Sequence, residues 1–480
     1  MSLRNTKAFG PVVLLIAQYI TRIMGPLISI LLVRYLGTED YGLYASAIAV
    51  TSFLTILPDF GLQQSALKLS VDSNIKLNNL IKSTLYTSML YTVITFIFLI
   101  SWLNIFQYEF TIKLTAYLLS ISFFRVAILK IITTLLQIKR EFTRIAIWNL
   151  TINSAQWIIT LLCIAFNSNL FNLVFWPQFV SLIITVIMLL VEGGKINLFS
   201  NMSPFTEKGK YKELIRNSLE IGTANSMYQM YHRSDAMILS ASRHPTEVGF
   251  YNVAFKATEL VNFFAGVLFN QVLYPFFFKW SKHNRDKYLR FYRLLNKLMV
   301  LSGFFVASLV LLFSDEIIYI IFGNAEMFTS TLLKIMMIAV PFRFLVVSFG
   351  AILTTDNFVR TRIKVQSKIA IVNIGSNALL VPIYGAVAAA ILMVITDVLL
   401  MTGYLRAAHK HITKSHFGRK IHYQIPVLLI LLLATLFISQ FEFIYKIVAG
   451  IIIVIIFIIA SWLSLEKEEL FEIKSLFKNR

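Results

Sequence analysis

Thr21–Gly61, TRIMGPLISILLVRYLGTEDYGLYASAIAVTSFLTILPDFG, decides how the rest of the chain is read. Two apolar runs, each long enough to cross a hydrocarbon core, flank the short polar turn Gly37-Thr38-Glu39-Asp40, and Arg22 sits inside the first run. About 207 residues later the turn returns. Thr38-Glu39-Asp40-Tyr41-Gly42-Leu43-Tyr44-Ala45-Ser46-Ala47 is echoed by Thr246-Glu247-Val248-Gly249-Phe250-Tyr251-Asn252-Val253-Ala254, one residue shorter. A second echo pairs Ile145-Ala146-Ile147-Trp148-Asn149 with Ile369-Ala370-Ile371-Val372-Asn373, and Asn153 and Asn377 follow four residues on in each. The chain reads as two copies of one membrane unit with charge placed inside lipid-length helices.

Composition supports that solvent. Of 480 residues 57% are hydrophobic and only 14% charged, with mean hydropathy +0.73. Soluble domains run near a quarter charged. The net charge of +20 fits short basic loops on the cytoplasmic side of a polytopic protein better than nucleic-acid binding. The single cysteine, Cys163, lies in an apolar run, which excludes a disulfide framework and a thiol metal site. The apolar run Val12–Val33 is too long for a cleaved signal, so it is expected to remain as the first span.

The expected fold is an all-α polytopic membrane protein of about fourteen transmembrane helices: 11–33, 43–63, 84–106, 113–136, 143–166, 170–191, 214–240, 249–278, 296–313, 328–353, 366–383, 385–404, 424–440 and 443–463. Pro382-Ile383-Tyr384-Gly385 is read as a tight turn between the eleventh and twelfth. With the N-terminus inside, every inner loop is basic, Lys297 being counted there. Outer loops hold only Arg34, Lys113, Arg243 and Lys446. Both termini are therefore expected in the cytoplasm. The echoes are six spans apart, an even number. They predict parallel repeats: an N-lobe at 1–200, a C-lobe at 201–410, and a C-terminal pair of spans with a tail at 411–480, the lobes enclosing a central cavity.

Seven basic residues fall inside spans: Arg22, Arg125, Lys130, Arg233, Lys256, Lys334 and Arg343; so do five acids, Asp59, Glu220, Asp235, Glu259 and Asp397. A base at mid-bilayer costs roughly 2.5–3.5 kcal/mol on insertion scales. Seven facing lipid would exceed the ~5–15 kcal/mol of typical net stability. They must pair, snorkel or line water. Lys334, Asp59 and Glu220 lie near span ends, where snorkelling is an ordinary explanation. Lys256 and Glu259 share a helical face and can neutralise each other. Arg22, Arg125 and Arg343 have no acid at i±3 or i±4 and are expected to face a hydrated cavity. Polar stripes run with them: Gln18, Arg22, Gly25 and Ser29; Asn149, Asn153, Gln156 and Thr160; Ser218, Gly222, Asn225, Gln229 and His232. The bland alternative is close helix crossings with interhelical hydrogen bonds. No GxxxxGK[ST] loop is present. His409, His411, His416 and His422 lack a matching cysteine or acid for a metal site. Asp315 and Glu316 read as a solvated acidic pair. No catalytic residues and no cofactor are expected.

Arg34-Tyr35-Leu36-Gly37-Thr38-Glu39-Asp40-Tyr41-Gly42-Leu43-Tyr44 with Asp59-Phe60-Gly61-Leu62 resembles the opening of Wzx-type polysaccharide and O-antigen flippases, in the multidrug/oligosaccharidyl-lipid/polysaccharide exporter superfamily. Val248–Ala254 and Val381-Pro382-Ile383-Tyr384-Gly385-Ala386-Val387-Ala388-Ala389-Ala390 resemble that family's second half. The resemblance implies alternating access in a bacterial inner membrane. It also implies a cargo of undecaprenyl diphosphate-linked oligosaccharide, such as O-antigen units of lipopolysaccharide, moved from the cytoplasmic to the periplasmic leaflet. Polysaccharide polymerase and chain-length machinery are the expected protein partners, with membrane lipid and no nucleic acid. The substrate site expected on this basis is Arg22, Arg125, Lys130, Arg233, Lys256, Arg343, Asn149 and Asn153, with Asp235, Glu259 and Asp397 coupling transport to a proton or sodium gradient. A multidrug cation antiporter would want an acidic cavity. A membrane polymerase or ligase would want an outer loop larger than Ser314–Met327. A lipid-linked peptidoglycan precursor flippase remains an alternative with the same fold.

Overall fold

In the computed structural model, residues 9–70, 76–196, 198, 208–242, 245–267, 285–322, 327–355, 358–417 and 421–464 are described, and every regular element among them is helical. Arg4, Lys7, Arg243, Lys279, Lys282, Glu326, Arg419 and Lys420 lie outside these residues, as do the side chains of Asn225 and His422. The described chain packs as two compact units, Met1–Gly249 and Phe250–Arg480.

The first unit holds α1 (Phe9–Leu54), α2 (Leu62–Leu69), α3 (Leu77–Ile105), α4 (Phe110–Leu119), α5 (Ile121–Ile138), α6 (Phe142–Ala165), α7 (Leu170–Gly194) and α8 (Lys208–Ser242). The α9 helix (Pro245–Val267) leads into the second unit. There follow α10 (Arg285–Leu312), α11 (Ser314–Phe322), α12 (Met327–Met337), α13 (Val340–Thr355), α14 (Val359–His411), α15 (Ile421–Ile438) and α16 (Phe443–Ser464).

Nine helices among the described residues are long and apolar enough to cross a membrane. Two of them carry two segments each. Within α1 the backbone leaves the helix at Gly37 (φ 72°, ψ −177°), and within α14 it does so at Gly385 (φ 65°, ψ −147°). The α8 and α9 helices fall outside the nine because they carry Glu220, Arg233, Asp235, Lys256 and Glu259, and α15 because it is short. With these, the fourteen expected segments fall on described helices, with 113–136 divided between α4 and α5, 328–353 between α12 and α13, 43–63 running past α1 into the turn at 55–61, and 268–278 of the eighth lying outside the described residues.

The side-chain distribution is that of a chain dissolved in lipid. On α3 the buried face is a hydroxyl stripe of Ser83, Thr84, Thr87, Ser88, Thr92 and Thr95, whereas Tyr86, Val93, Ile94 and Ile97 are exposed. Most of these hydroxyls donate to a carbonyl one turn back in their own helix, as Thr84 does to Leu80 at 2.7 Å and Thr92 to Ser88 at 2.8 Å. A stripe satisfied within its own helix is free to pack closely against apolar neighbours. Leu99 and Leu103 of α3 join Val50 and Leu54 of α1, Phe123 of α5 and Val174 of α7 in one apolar core.

In the second unit the last helix is held by a lysine at each end. Lys297 of α10, fully buried, donates to the Ser464 carbonyl at 3.2 Å. This places a cation at the negative end of the α16 dipole. At the other end Lys446 of α16 reaches Asp315 (3.2 Å) and Glu316 (2.8 Å) on α11. Asp315 also holds Lys334 at 3.0 Å and accepts a hydrogen bond from Ser330. Three expectations are corrected. Lys297 and Lys446 are buried packing residues rather than loop charges, and Asp315 and Glu316 are not a solvated pair. Lys334 ends in an ion pair rather than snorkelling alone.

The loop after α14 is pinned from inside. His416 is buried, its Nδ1 lies 3.1 Å from the Tyr292 hydroxyl, and its carbonyl accepts from Asn296 Nδ2 at 2.7 Å. Burial, with His409 beside it, pushes His416 down to about 4, below the ~6.5 of a free histidine. Folding therefore favours the neutral ring. Its contribution is fully present above pH ~6.5 and is lost as pH falls toward 4. Thermal unfolding of the detergent-purified protein is expected to show this loss, and His416→Gln is expected to flatten that slope.

Gly37 offers a cleaner test of backbone geometry. A Cβ there would meet nothing within 4 Å, so any penalty comes from φ and ψ alone. That region is essentially glycine-only and costs about 1–3 kcal/mol for other residues. Gly37→Ala is expected to lower the melting temperature by several degrees, while Gly375→Ala, in open space within α14, is expected to leave it unchanged or raised.

Candidate anion-binding site

Arg125 and Lys130 both lie on α5, amid the buried apolar residues Phe123, Ala127, Ile128 and Ile131. Arg125 Nη1 donates to Gln156 Oε1 of α6 at 3.3 Å. Its buried Nε has no hydrogen-bond partner among the described residues. No carboxylate among the described residues lies within ion-pair distance of this guanidinium. It is a half-buried cation met by one neutral amide.

Lys130 is met by another. Its Nζ donates to Gln63 Oε1 of α2 at 3.1 Å, and Gln63 Nε2 donates on to Gln137 Oε1 at 3.2 Å. The Gln63 backbone N–H donates to Asp59 Oδ1 at 3.0 Å, so Asp59 caps the start of α2 rather than snorkelling. Arg22 is exposed on the first segment of α1, as is Gln18 one turn earlier.

The asparagine stripe is partly internal. Asn153 Nδ2 donates to the Asn149 carbonyl at 2.7 Å, and Asn377 repeats that bond to Asn373 at 2.9 Å. The second sequence echo thus has a structural counterpart. The α8 stripe divides: Ser218 Oγ donates to the Phe60 carbonyl at 2.8 Å, and Gly222 packs against Phe60 so closely that no Cβ fits. These two residues serve a helix crossing. On the same helix Arg233 is half-buried and Asp235 is buried, its Oδ1 accepting from the Ala236 N–H at 2.8 Å.

In the second unit, Arg343 of α13 pairs with Asp397 of α14 at 2.9 Å, their side chains 8% and 0% exposed. Two residues expected in different roles, substrate binding and ion coupling, form one buried pair. Lys256 and Glu259 are half-buried on α9. Glu192 of α7 was not singled out from sequence. It is buried and held by Trp148 Nε1 (3.1 Å), Lys195 (2.8 Å) and Arg144 (3.6 Å). Gln63, Gln137 and Gln156 complete the cation sites; Gln156 is marked in sequence by its polar stripe and Gln137 by its apolar surroundings, whereas Gln63 sits among the polar residues of α2 and carries no such signal.

Residues 10–281 match the sequence model of a family described as "Polysaccharide biosynthesis protein". The chain belongs to this family. No curated protein matches it. Among solved structures, it is similar to the lipid II flippase MurJ in an inward closed conformation. That likeness covers 93% of this chain and 98% of that one, with 17% identity and a TM-score of 0.73. It is also similar to an inward-facing multidrug resistance MATE family transporter of the MOP superfamily (85% and 98% covered, 12% identity, TM-score 0.55). A third is a MOP superfamily transporter from Pyrococcus furiosus described by the reverse polarity of its binding pocket (85% and 96% covered, 13% identity, TM-score 0.50). The fold is that of MOP-superfamily transporters, and the protein is a multi-pass membrane protein.

The Arg343–Asp397 pair can be separated from any transport role by stability. Removing one partner of a buried pair costs about 3–5 kcal/mol, whereas replacing both by apolar groups is often neutral. Asp397→Ala is expected to lower the unfolding temperature sharply, and Arg343→Met/Asp397→Leu to recover more than half of the loss.

Proposed function

We propose that the protein is a flippase, not an enzyme, for an oligosaccharide carried on a polyprenyl (undecaprenyl) diphosphate. It moves this cargo from the cytoplasmic to the outer leaflet of the bacterial inner membrane by alternating access, with both termini in the cytoplasm. The observation that carries this reading is Arg125: a half-buried guanidinium with a buried, unpartnered Nε, a neutral amide as its one hydrogen-bond partner among the described residues and no carboxylate of those residues in ion-pair reach. Such a group is stabilised by an arriving anion, and the planar arginine fork suits phosphate oxygens. Lys130, likewise met by an amide, and Arg22, on an exposed face of α1, extend the same positive surface. The amides and asparagines beside them suit sugar hydroxyls. Membership of a polysaccharide biosynthesis family supports the cargo class.

Asp235 and Glu259, with Lys256 and Arg233 near them in sequence, are the groups through which a proton or sodium gradient would act. Asp397 enters only through its pair with Arg343. Polysaccharide polymerase and chain-length proteins are the partners this function would call for. A second reading, a flippase of lipid-linked peptidoglycan precursor, draws on the MurJ likeness. That likeness extends over 93% of the chain, well past the residues 10–281 covered by the family match. Both cargoes share the polyprenyl diphosphate, so Arg125 serves either. The excess of buried and half-buried bases disfavours a multidrug cation antiporter.

Arg125→Ala and Arg22→Ala are each expected to reduce export of lipid-linked oligosaccharide by at least about tenfold, the loss of one charge-assisted phosphate contact, while the protein stays in the membrane at normal abundance. Full export by both variants would remove the proposed site. Reconstituted vesicles loaded in turn with lipid II and with an O-antigen-type precursor decide between the two cargoes.

A further inference from the structure

Between α1 and α2 the chain unwinds from Thr55 to Gly61, with Phe60 and Gly61 both at positive φ (28° and 81°). Within the membrane such a break must satisfy its carbonyls from neighbours. Ser88 Oγ donates to the Pro58 carbonyl at 2.7 Å and Ser218 Oγ to the Phe60 carbonyl at 2.8 Å. From there α2 runs along α8 as a latch. Gly61 abuts Gly222, where a Cβ would come within 2.6 Å of the Gly222 nitrogen. Ser65 Oγ donates to the Leu214 carbonyl at 2.8 Å, and Lys68 Nζ to Asn217 Oδ1 at 3.0 Å. The α2 helix has only eight residues, and with glycine at its N-cap the one side chain capping its first turn is Asp59. A helix that short has little stability of its own, so its position is set by what grips it.

Two neighbours grip it from opposite sides. Ser65 is two residues from Gln63, about 200° around the helix, and the two side chains reach different partners. Ser65 bonds to α8, and Gln63 bonds to Lys130 and Gln137 of α5. Gln63 is 8% exposed and has its carbonyl and amide groups both engaged. If Lys130 turns to an anion, the Gln63 oxygen is left buried without a donor, and that state is costly.

We propose that Gln63 is a positioning residue that couples occupancy of the Lys130 anion site to the α2–α8 latch. A diphosphate that draws Lys130 away destabilises the seated position of α2 and loosens its contacts with Leu214, Asn217, Ser218 and Gly222. The coupling rests on the reading of Lys130 as part of an anion site. It adds what the site does once filled: it releases a helix crossing, so that the lobe opens in response to cargo rather than at random.

The test uses the full chain in lipid nanodiscs, with Cys163→Ser to remove the single native thiol. Cysteines at Lys68 and Asn217 report the latch through their rate of bridging by a short bis-methanethiosulfonate, which forms a disulfide at each end with methanesulfinate as the leaving group. Cysteines at Tyr108 and Ser240, whose hydroxyls lie 2.8 Å apart at another α8 contact, report general integrity. Without ligand, Lys130→Met is expected to slow latch bridging about tenfold, the effect of stranding one buried acceptor, and to leave the Tyr108/Ser240 rate unchanged. Lys130→Arg, which keeps a donor, is expected to restore it. Undecaprenyl diphosphate is expected to slow latch bridging when Lys130 is present and to add nothing in Lys130→Met. Unchanged latch bridging in Lys130→Met, or equal slowing at both pairs, overturns the coupling while leaving the anion site standing. Failure of undecaprenyl diphosphate to bind at all, read as no protection of Lys130 from amine labelling when the lipid is present in the nanodiscs, overturns the anion site and the trigger together.

Discussion

A polar group inside a hydrocarbon core has no water to fall back on, and most of this structure follows from that constraint. It makes the chain helical throughout its described residues, since a helix closes its own backbone hydrogen bonds. It turns serine and threonine hydroxyls onto their own helices. Where the helix is interrupted, at Thr55–Gly61, it brings Ser88 and Ser218 in from neighbouring helices to cover the exposed carbonyls. The same constraint sorts the buried charges. Arg343 answers it with Asp397, Lys446 with Asp315 and Glu316, and Lys297 with a helix-terminal carbonyl. Arg125 meets it only with a neutral amide, and Lys130 with an amide and the nearby charge of Asp59. Of these cations Arg125 is left with the least neutralisation, which is the observation on which the proposed anion site rests.

The architecture was legible because apolar length is a local property. Among the described residues the lipid-length runs of the sequence are helical, and the Pro382–Gly385 turn appears as a break at Gly385 within one continuous helical stretch. Packing partitions the chain differently from the internal echoes. The α8 helix, which opens the second repeat by sequence likeness, lies in the same compact unit as the first six segments. Its Ser218 and Gly222 are committed to that contact. A polar stripe on a helix looks the same from sequence whether it lines water or presses on another backbone.

The partners of the charges were not legible, for a reason of separation rather than chemistry. Asp397 lies 54 residues from Arg343 along the chain, Gln63 67 from Lys130, and Ser464 167 from Lys297. A search at i±3 and i±4 finds none of them. Lys297 and Lys446 were placed in loops because a hydropathy profile registers a lysine near a helix end only as a charge. Nothing in it reveals that the ammonium can turn inward to a carbonyl or a carboxylate.

The hydroxyl stripe of α3 has one more consequence. Thr84, Thr87, Thr92 and Thr95 each spend their proton on a carbonyl of the same helix. Their shared face therefore presents smooth methyl-sized relief, with few bonds that must break for the surface to shift. Such a face acts as a bearing. A shift of a neighbouring helix along it would break few hydrogen bonds, chiefly those of Ser88 to Pro58 and Thr87 to Tyr211.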